Sequence, residues 1–423
     1  MPRFPVTAIV VGAGHRSIGY AEYALRHPDR LRIVGVADPV ALRREAVAAA
    51  HGLPADRRFA SFEDLLAVPP FADAVINGTM DGMHYRSALP LIRQGYHMLL
   101  EKPIAGTEHE VRELIDAARS GGRTVMICHV LRYAPFYAKV KELVRDDEIG
   151  EIIAIHSTEN VSYHHMAVGF IRGRWRRRDQ SNPILLAKCC HDLDILAWLM
   201  SGVPPARVAS FGSLRQFRPE NAPPGSAERC LDGCRIEPTC PYSARANYVE
   251  QGLWSFYAWE PIEHIANPTD EQKLESLRTD NPFGRCVWRC DNDVVDHQTV
   301  AVEFANGVTA SHDLFGATAR PCRTIHIVGS RGEIEGNMEA GWLVVRHARA
   351  ERGHEYREEP VALSVTGDGH GGGDERLVAD FVATLAGEPA SQGATRIEDS
   401  LNGHLIAFAA DRAMREHSVV EIA

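Results

Sequence analysis

The first strong pattern in the chain is the stretch Val6-Thr7-Ala8-Ile9-Val10-Val11-Gly12-Ala13-Gly14-His15-Arg16-Ser17. The apolar run predicts a buried strand, and the glycines after it predict a tight turn into a helix. The first glycine permits the turn, and the second lets the backbone approach a pyrophosphate at the positive end of the helix. We therefore predict dinucleotide binding by Gly12, Gly14, His15, Arg16 and Ser17, with a purely structural turn as the alternative.

Strand patterns continue to alternate with helix patterns as far as residue 128. Strands are predicted at 31–37, 72–77, 98–100 and 123–128, and helices at 20–26, 42–51, 84–94 and 108–120. This alternation predicts a doubly wound parallel sheet with right-handed crossovers. Because such sheets bind ligands at the carboxyl ends of their strands, residues 1–128 are predicted to form a Rossmann dinucleotide-binding domain.

Asp38 closes the second predicted strand, 26 residues after Gly12. A carboxylate there can accept hydrogen bonds from the adenosine ribose and would repel a 2′-phosphate, so NAD is predicted rather than NADP. A helix N-cap or turn aspartate is the alternative. Arg43 and Arg44 follow closely enough in sequence to weaken this preference for NAD over NADP.

A charged pair, Glu101-Lys102, emerges directly from the apolar run Met98-Leu99-Leu100 and precedes Pro103. Charged groups leaving a buried strand are costly unless they are paired or functional. Lys102 is therefore predicted to lie beside a nicotinamide, with Glu101 on the cofactor side.

Composition places the chain among ordinary globular proteins. It has 423 residues, of which 45% are apolar and 24% charged, and this length favours two domains. The net charge of -10 argues against a nucleic-acid partner. No secretory signal and no apolar run long enough to cross a bilayer is recognised, so a cytoplasmic protein without a membrane partner is expected.

Several motifs together resemble the glucose-fructose oxidoreductase and inositol dehydrogenase (Gfo/Idh/MocA) family. They are Gly12-Ala13-Gly14, the segment from Thr79 to His84, Glu101-Lys102-Pro103, Arg132-Tyr133-Ala134-Pro135 and His191-Asp192-Leu193-Asp194. The resemblance implies a Rossmann domain followed, at 129–423, by an α/β domain with a large, mostly antiparallel open sheet. It also implies a sugar bound between the domains, cofactor contacts from Thr79 and His84, and a homodimer or homotetramer.

The second domain has compatible patterns. Strands are predicted at 152–158, 207–212, 299–304, 308–314, 323–329 and 342–347, and helices at 184–200 and 374–385. A loop-rich insertion is expected at about 215–295.

The resemblance also implies the catalytic group. Lys102 and His191 match the family lysine and histidine, and Tyr133 is a candidate proton relay. The family has an aspartate four residues before the histidine, where this chain has Ala187, followed by Lys188. On one continuous helix Lys188 would share a face with His191, so it joins the predicted catalytic residues, with a position outside the pocket as the alternative.

A segment rich in aromatic and cationic groups is predicted to contact the substrate. Aromatic rings stack on sugars and arginine recognises anionic groups, whereas the run 176–178 reads equally well as a solvated loop. The predicted substrate residues are His164, His165, Arg172, Trp175, Asp192, His297 and His370.

Five of the nine cysteines cluster in the insertion, at Cys230, Cys234, Cys240, Cys286 and Cys290. They predict either a structural zinc site or free thiols. The scattered ones, Cys128, Cys189, Cys190 and Cys322, are predicted to be inert thiols.

Three functions remain open at the level of sequence. The first is an NAD-dependent oxidoreductase that removes hydride from a secondary hydroxyl, such as C3, of a sugar, glycoside or cyclitol. The second is an NAD-retaining glycoside hydrolase that oxidises C3 transiently and eliminates the aglycone, for example from an anionic sulfoquinovoside. The third is an inactive sugar-sensing protein.

Overall fold

The structure is a computed structural model that describes residues 4–351, 353–363 and 369–422. Its strands are β1 Val6–Val11, β2 Leu31–Ala37, β3 Arg58–Phe59, β4 Ala74–Asn77, β5 His97–Leu100, β6 Val125–Ile127, β7 Ile152–Ser162, β8 Pro205–Ser213, β9 His297–Phe304, β10 Thr309–Thr318, β11 Cys322–Gly329, β12 Glu333–Asn337, β13 Trp342–Glu351, β14 His354–Pro360 and β15 Val420–Glu421. Its α-helices are α1 His15–Arg26, α2 Ala41–His51, α3 Phe62–Leu66, α4 His84–Gln94, α5 Glu108–Gly121, α6 Pro135–Arg145, α7 Tyr163–Met166, α8 Ile184–Ala187, α9 Cys190–Leu199, α10 Ser255–Ala258, α11 Asp270–Arg278, α12 Gly369–Leu385 and α13 Leu401–Glu416.

The first six strands form one parallel sheet in the order β3-β2-β1-β4-β5-β6. The order reverses between β1 and β4, which is where such sheets bind ligands. Local chemistry sets the helix ends: α5 begins with a capping box between Thr107 and Glu110, and Gly95 and Gly122 end α4 and α5 in the left-handed conformation. The predicted doubly wound domain is confirmed.

The second sheet has nine strands in the order β14-β13-β12-β11-β7-β10-β9-β8-β15. Only β7 and β10 pair in parallel, and the other neighbours are antiparallel. Helices α9 and α13 share one apolar core with the inward residues of this sheet. The predicted large, mostly antiparallel sheet is confirmed.

The chain returns to the first domain near its end. Leu377, Phe381 and neighbouring apolar residues of α12 join the core beneath α1 and β1. The Ile127 amide donates to the Thr395 carbonyl, which extends the parallel sheet at its β6 edge. Residues far along the sequence therefore complete the first domain. The predicted boundary at residue 128 marks where the chain first leaves this domain, but it omits the later residues that pack in it.

The insertion between β8 and β9 spans residues 214–296 and folds mainly as turns and short helices. It has a small apolar core of its own, formed with Val168 by Cys230, Ala244, Tyr248, Tyr257, Ala258, Leu277 and Phe283. None of the helices in the described residues combines the length and the apolar character that a membrane span requires.

One predicted helix is wrong in a way that matters for the site. Residues 184–200 do not form one helix: α8 ends at Ala187, and α9 begins at Cys190. Lys188 and Cys189 form the break, so Lys188 does not lie on the helical face of His191 that the sequence suggested.

Candidate active site

The glycine-rich turn is packed against the loop after β4. Gly12 has a φ of +79°, and a Cβ there would lie 2.7 Å from the Thr79 amide nitrogen, so only glycine fits. Ser17 fills the third glycine position because its neighbour Gly78 has no side chain: a Cβ on Gly78 would lie 2.0 Å from the Ser17 hydroxyl oxygen.

The N-terminus of α1 is open to an anion. Gly14 is its N-cap, no side chain caps it, and its first turn has no acidic residue. Unpaired helix amides and the helix dipole favour a phosphate at such a position. Gly12, Gly14 and Ser17 can therefore hold the pyrophosphate of a dinucleotide.

Asp38 braces the same turn. Its two carboxylate oxygens accept hydrogen bonds from the Ala13 amide at 2.6 Å and the Val40 amide at 2.7 Å. Nearby, Arg44 donates to the Asp38 carbonyl and Arg43 pairs with Glu263 of the insertion at 2.8 Å. Both arginines are thus engaged, which leaves a carboxylate as the dominant charge at the end of β2.

Glu101 is the centre of a buried network. It accepts from Arg16 Nε at 3.0 Å, from the Tyr20 hydroxyl at 2.7 Å and from the Lys102 amide at 2.8 Å, and Arg16 also pairs with Asp374 of α12. Burial alone would raise the pKa of Glu101, but Arg16, Lys102 and Tyr20 hold it below its usual range. The network ties the glycine-rich turn, β5 and α12 together.

Lys102 lies where α8 is broken. Its Nζ donates to the Ala187 carbonyl at 2.8 Å, which is free because the helix ends there. Burial favours the neutral amine, but Cys190, Glu101 and Asp81 together raise the pKa of Lys102 above its usual value. The raised pKa favours the cationic form of Lys102, which can donate a hydrogen bond to an oxygen.

His191 lies near Lys102, close enough for the lysine charge to act on its imidazole. It is 8% exposed, and its Nδ1 is buried without a hydrogen-bond partner. Burial, and then the charge of Lys102, lower the pKa of His191 well below its usual value. A neutral imidazole next to a lysine cation can accept a proton. His370 and the fully buried His129 lie beside it, with ring centroids at 6.2 Å and 5.7 Å.

Lys188 lies in a buried charge network. Its Nζ lies 3.1 Å from Glu159, which also pairs with Arg323, and Arg323 Nε lies 2.9 Å from Asp192. The positions of Lys188 and Asp192 therefore do not support their predicted roles in catalysis and in substrate binding. Both side chains belong to the buried charge network beneath His191.

Three other predicted site residues are engaged elsewhere. The Tyr133 hydroxyl donates to Asp380 at 2.7 Å, and burial raises the pKa of Tyr133. His84 bridges the Pro103 and Thr79 carbonyls, so it braces the loops after β4 and β5. Arg172 is buried in the insertion, where it bonds the Arg285 and Tyr242 carbonyls, the Tyr248 hydroxyl and Cys230 Sγ.

The insertion contributes three aromatic side chains that pack beside His165 and the glycine-rich turn. Trp254 stacks on His165 with ring centroids 4.0 Å apart, and Phe256 and Tyr257 pack against His15 of the glycine-rich turn. Trp175 Nε1 donates to Asp81 at 3.0 Å and its ring meets Tyr257 edge-on. We call Trp254, Phe256 and Tyr257 the aromatic wall.

The remaining predicted substrate residues lie in different surroundings. His164 packs edge-on against Tyr163, and His297, 46% exposed, pairs with Asp296 at the start of β9. The cationic run is neutralised, because Arg176, Arg177 and Arg178 pair with Asp291, Asp179 and Asp411.

All nine cysteines are free thiols. An antiparallel bridge between Arg229 and Arg285 brings Cys230 beside Cys286. However, within the described ranges no three of the five insertion cysteines have sulfur atoms within 4.8 Å of one another. A preformed zinc site is therefore not seen there.

Sequence reasoning missed Glu159, Arg323, His129, Asp81 and the aromatic wall. His129 and Asp81 follow strand ends, which is a usable signal for site residues. Glu159 and Arg323 carry no local signal, because strands β7 and β11 bring them together only in the folded sheet.

The fold and the turn with Asp38 define a dinucleotide-binding enzyme scaffold, and family comparison agrees. Residues 6–129 match the oxidoreductase family model described as an NAD-binding Rossmann fold, and residues 141–422 match that family's C-terminal α/β domain. The chain belongs to the Gfo/Idh/MocA oxidoreductase family.

Relatives of known sequence differ in how much of their length aligns with this chain. YteT of Bacillus subtilis, an oxidoreductase-family protein, is 25% identical over 334 residues, which cover 76% of this chain and 74% of YteT. The 1,5-anhydro-D-fructose reductase of Ensifer adhaerens is 29% identical over 42% of this chain and 51% of its own length.

Solved structures support the fold. Levoglucosan dehydrogenase, in complex with NADH and levoglucosan, aligns with a TM-score of 0.70 at 17% identity and covers 99% of each chain. The WlbA dehydrogenase of Bordetella pertussis, in complex with NADH and UDP-GlcNAcA, aligns with a TM-score of 0.68 at 16% identity over 100% of this chain and 99% of its own.

Proposed function

We propose that this protein is an NAD-dependent oxidoreductase that takes hydride from a carbon bearing a secondary hydroxyl, such as C3, of a sugar, glycoside or cyclitol. One observation carries the proposal: Lys102 is hydrogen-bonded to the Ala187 carbonyl at the break before α9, close enough to His191 in the first turn of α9 for the lysine charge to act on the imidazole. Bound NAD supplies the hydride acceptor.

Lys102 and His191 have different roles in this proposal because their charges differ. Lys102 Nζ uses one proton on the Ala187 carbonyl and has two left to stabilise the developing alkoxide of the substrate. His191 accepts the hydroxyl proton as hydride leaves carbon. The aromatic wall and Trp175 offer ring faces for the sugar.

We propose NAD rather than NADP because Asp38 presents a carboxylate at the end of β2 while Arg43 and Arg44 are engaged. We also propose that the outer face of the nine-stranded sheet is covered by a second subunit, since Ile153, Phe211, Phe315 and Trp342 are exposed. A cytoplasmic location fits an NAD-linked reaction.

For the insertion cysteines we propose free thiols rather than zinc. Arg172 donates to Cys230 Sγ at 3.3 Å, and burial raises the pKa of Cys240, Cys286 and Cys290. Buried protonated thiols of this kind pack as small apolar groups.

The test is a panel of sugars, cyclitols and glycosides, including uronates and a sulfoquinovoside, given to purified protein with NAD. We expect NADH fluorescence to grow with at least one member. Release of aglycone with no net NADH would show the redox-neutral glycosidase instead, for which the aromatic wall offers a surface to a second ring. No reaction, together with no NAD binding, would favour a sugar sensor.

Lys102→Met tests the catalytic assignment. Because it removes the cation beside the reacting oxygen, we expect kcat to fall by at least about 10²-fold while NAD affinity stays within about threefold. Lys139→Met, on the surface of α6, is the matched control. Full activity of Lys102→Met would refute the assignment.

A further inference from the structure

Three side chains of types that commonly bind metals lie close together beneath His191. Cys189 lies in the break between α8 and α9, Asp192 in the first turn of α9, and His312 on β10. One ligand atom of each lies within 4.8 Å of the other two, and all three residues are buried. Within the described parts of the chain no other such group of three is found.

Two atoms of this group have unmet bonding capacity. Asp192 Oδ2 and His312 Nε2 are buried without a hydrogen-bond partner. Leaving a buried polar atom unpaired typically costs about 1–3 kcal/mol, so its persistence needs an explanation.

The surroundings hold the ligand atoms in place. The Ser157 hydroxyl faces the Ser311 carbonyl at 3.4 Å and His312 Nδ1 at 2.9 Å. When the hydroxyl donates to that carbonyl, its oxygen accepts from Nδ1–H, and Nε2 keeps its lone pair for the cluster. Arg323 Nε holds Asp192 Oδ1 at 2.9 Å, which leaves Oδ2 to the cluster. Such outer hydrogen bonds are usual for metal-binding imidazoles and carboxylates.

The charges nearby leave room for a divalent cation. Lys188 and Arg323 supply two positive charges, against the three carboxylates of Glu159, Asp192 and Glu339. A divalent cation bound with the Cys189 thiolate would cancel the remaining negative charge.

We propose that Cys189, Asp192 and His312 bind a zinc ion that fastens the start of α9 to β10. One thiolate, one imidazole and one carboxylate supply three of the four donors of a tetrahedral zinc, and a water molecule would complete the set. Cys190 and His191 lie between two of these ligands in sequence, so the metal holds the segment that carries His191. The site is sealed from substrate, and its role is structural.

Metal analysis tests the proposal. Purified protein is incubated with zinc, desalted and measured by mass spectrometry of the metal. We expect one zinc per chain, lost in Cys189→Ser and His312→Gln and kept in His156→Gln, which lies on β7 facing solvent. Absence of bound zinc in the wild-type chain, or its retention in both ligand variants, overturns the proposal.

Cobalt gives a second readout that does not depend on the ligand variants Cys189→Ser and His312→Gln folding. In the wild-type chain, Co²⁺ bound by a thiolate should produce an intense near-ultraviolet charge-transfer band. We expect Cys286→Ser, in the insertion, to keep this band. If Cys286→Ser loses the band, or if wild-type protein shows none, the metal does not sit beneath His191.

Discussion

Replacing Glu101 by glutamine should destabilise the protein far more than a surface substitution of the same kind. The amide keeps the shape of the side chain but loses the charge that faces Arg16, and its NH2 group would meet donors from Arg16, Tyr20 or Lys102. A buried carboxylate with three donors is therefore replaced by a partly unsatisfied neutral group.

The magnitude follows from burial. Removing one partner of a buried ion pair typically costs about 3–5 kcal/mol. Arg16 keeps Asp374 and its side chain is 32% exposed, which lowers the expected loss to about 2–3 kcal/mol. With an unfolding entropy of about 2.1 cal/mol/K per residue, this lowers Tm by roughly 3 °C if the whole chain unfolds together, and by roughly 10 °C if the Rossmann domain unfolds alone.

Glu113→Gln is the matched control. Glu113 accepts from the same partner types, Tyr85 and Arg93, but on the exposed side of α5. We expect its urea midpoint and Tm to stay within measurement scatter. Equal losses in the two variants would refute the argument that burial makes the Glu101 network strong.

The Glu101 effect should also depend on pH. Because the pKa of Glu101 is lowered in the folded state, its contribution is complete above the unfolded value near 4.5 and is lost as pH falls through the folded pKa. The stability gap between wild type and Glu101→Gln should therefore narrow by up to about 0.8 kcal/mol between pH 7 and pH 4. A gap that widens on acidification would contradict this sign.

Three further substitutions probe other parts of the site. Asp38→Ser should raise KM for NAD by about tenfold or more and reduce the preference for NAD over NADP, because charge-assisted bonds to the ribose are lost; steady-state kinetics with both cofactors measures this. Trp254→Ala should raise KM for the sugar by about fivefold and leave KM for NAD unchanged, because it removes a ring face that we propose contacts the sugar. Lys188→Met should lower the free energy of unfolding by about 2 kcal/mol, because Glu159 loses a buried partner, and urea denaturation reports it.

For each of these three substitutions, one result would contradict the prediction. Unchanged cofactor preference in Asp38→Ser would show that Asp38 acts only on the turn through Ala13 and Val40. A rise in KM for NAD in Trp254→Ala would place the aromatic wall over the cofactor instead of the sugar. A large fall in kcat in Lys188→Met with unchanged stability would show that Lys188 acts in catalysis and not in stability.

The Rossmann domain was predictable because its strands are buried on both faces. Their apolar runs stand out, and β1, β2, β4, β5 and β6 match the predicted strands closely, whereas the short elements β3 and α3 were missed. In the second domain β12 and β14 were missed: Glu333–Asn337 and His354–Pro360 are rich in polar residues, and β14 is mostly exposed. A strand without a continuous buried face gives no clear period to recognise.

Short motifs located Lys102 and His191, but they could not show what surrounds them. The break at Lys188 was missed because no glycine or proline marks it and apolar residues recur on both sides of it. Arg172 was assigned to substrate on its residue type, whereas its four partners come from the insertion, between 58 and 113 residues away.

The sequence by itself determined the parallel sheet, the dinucleotide turn and the family, since these depend on local periodicity and on residues close together in the chain. Tertiary structure alone decided the charges at the site. It joined Glu101 to Arg16 and Asp374, sent Lys188 to Glu159, gave Lys102 the Ala187 carbonyl, and set the aromatic wall against His15. The physical reason is that burial and pairing, which fix where a charge is stable, depend on neighbours distant in sequence.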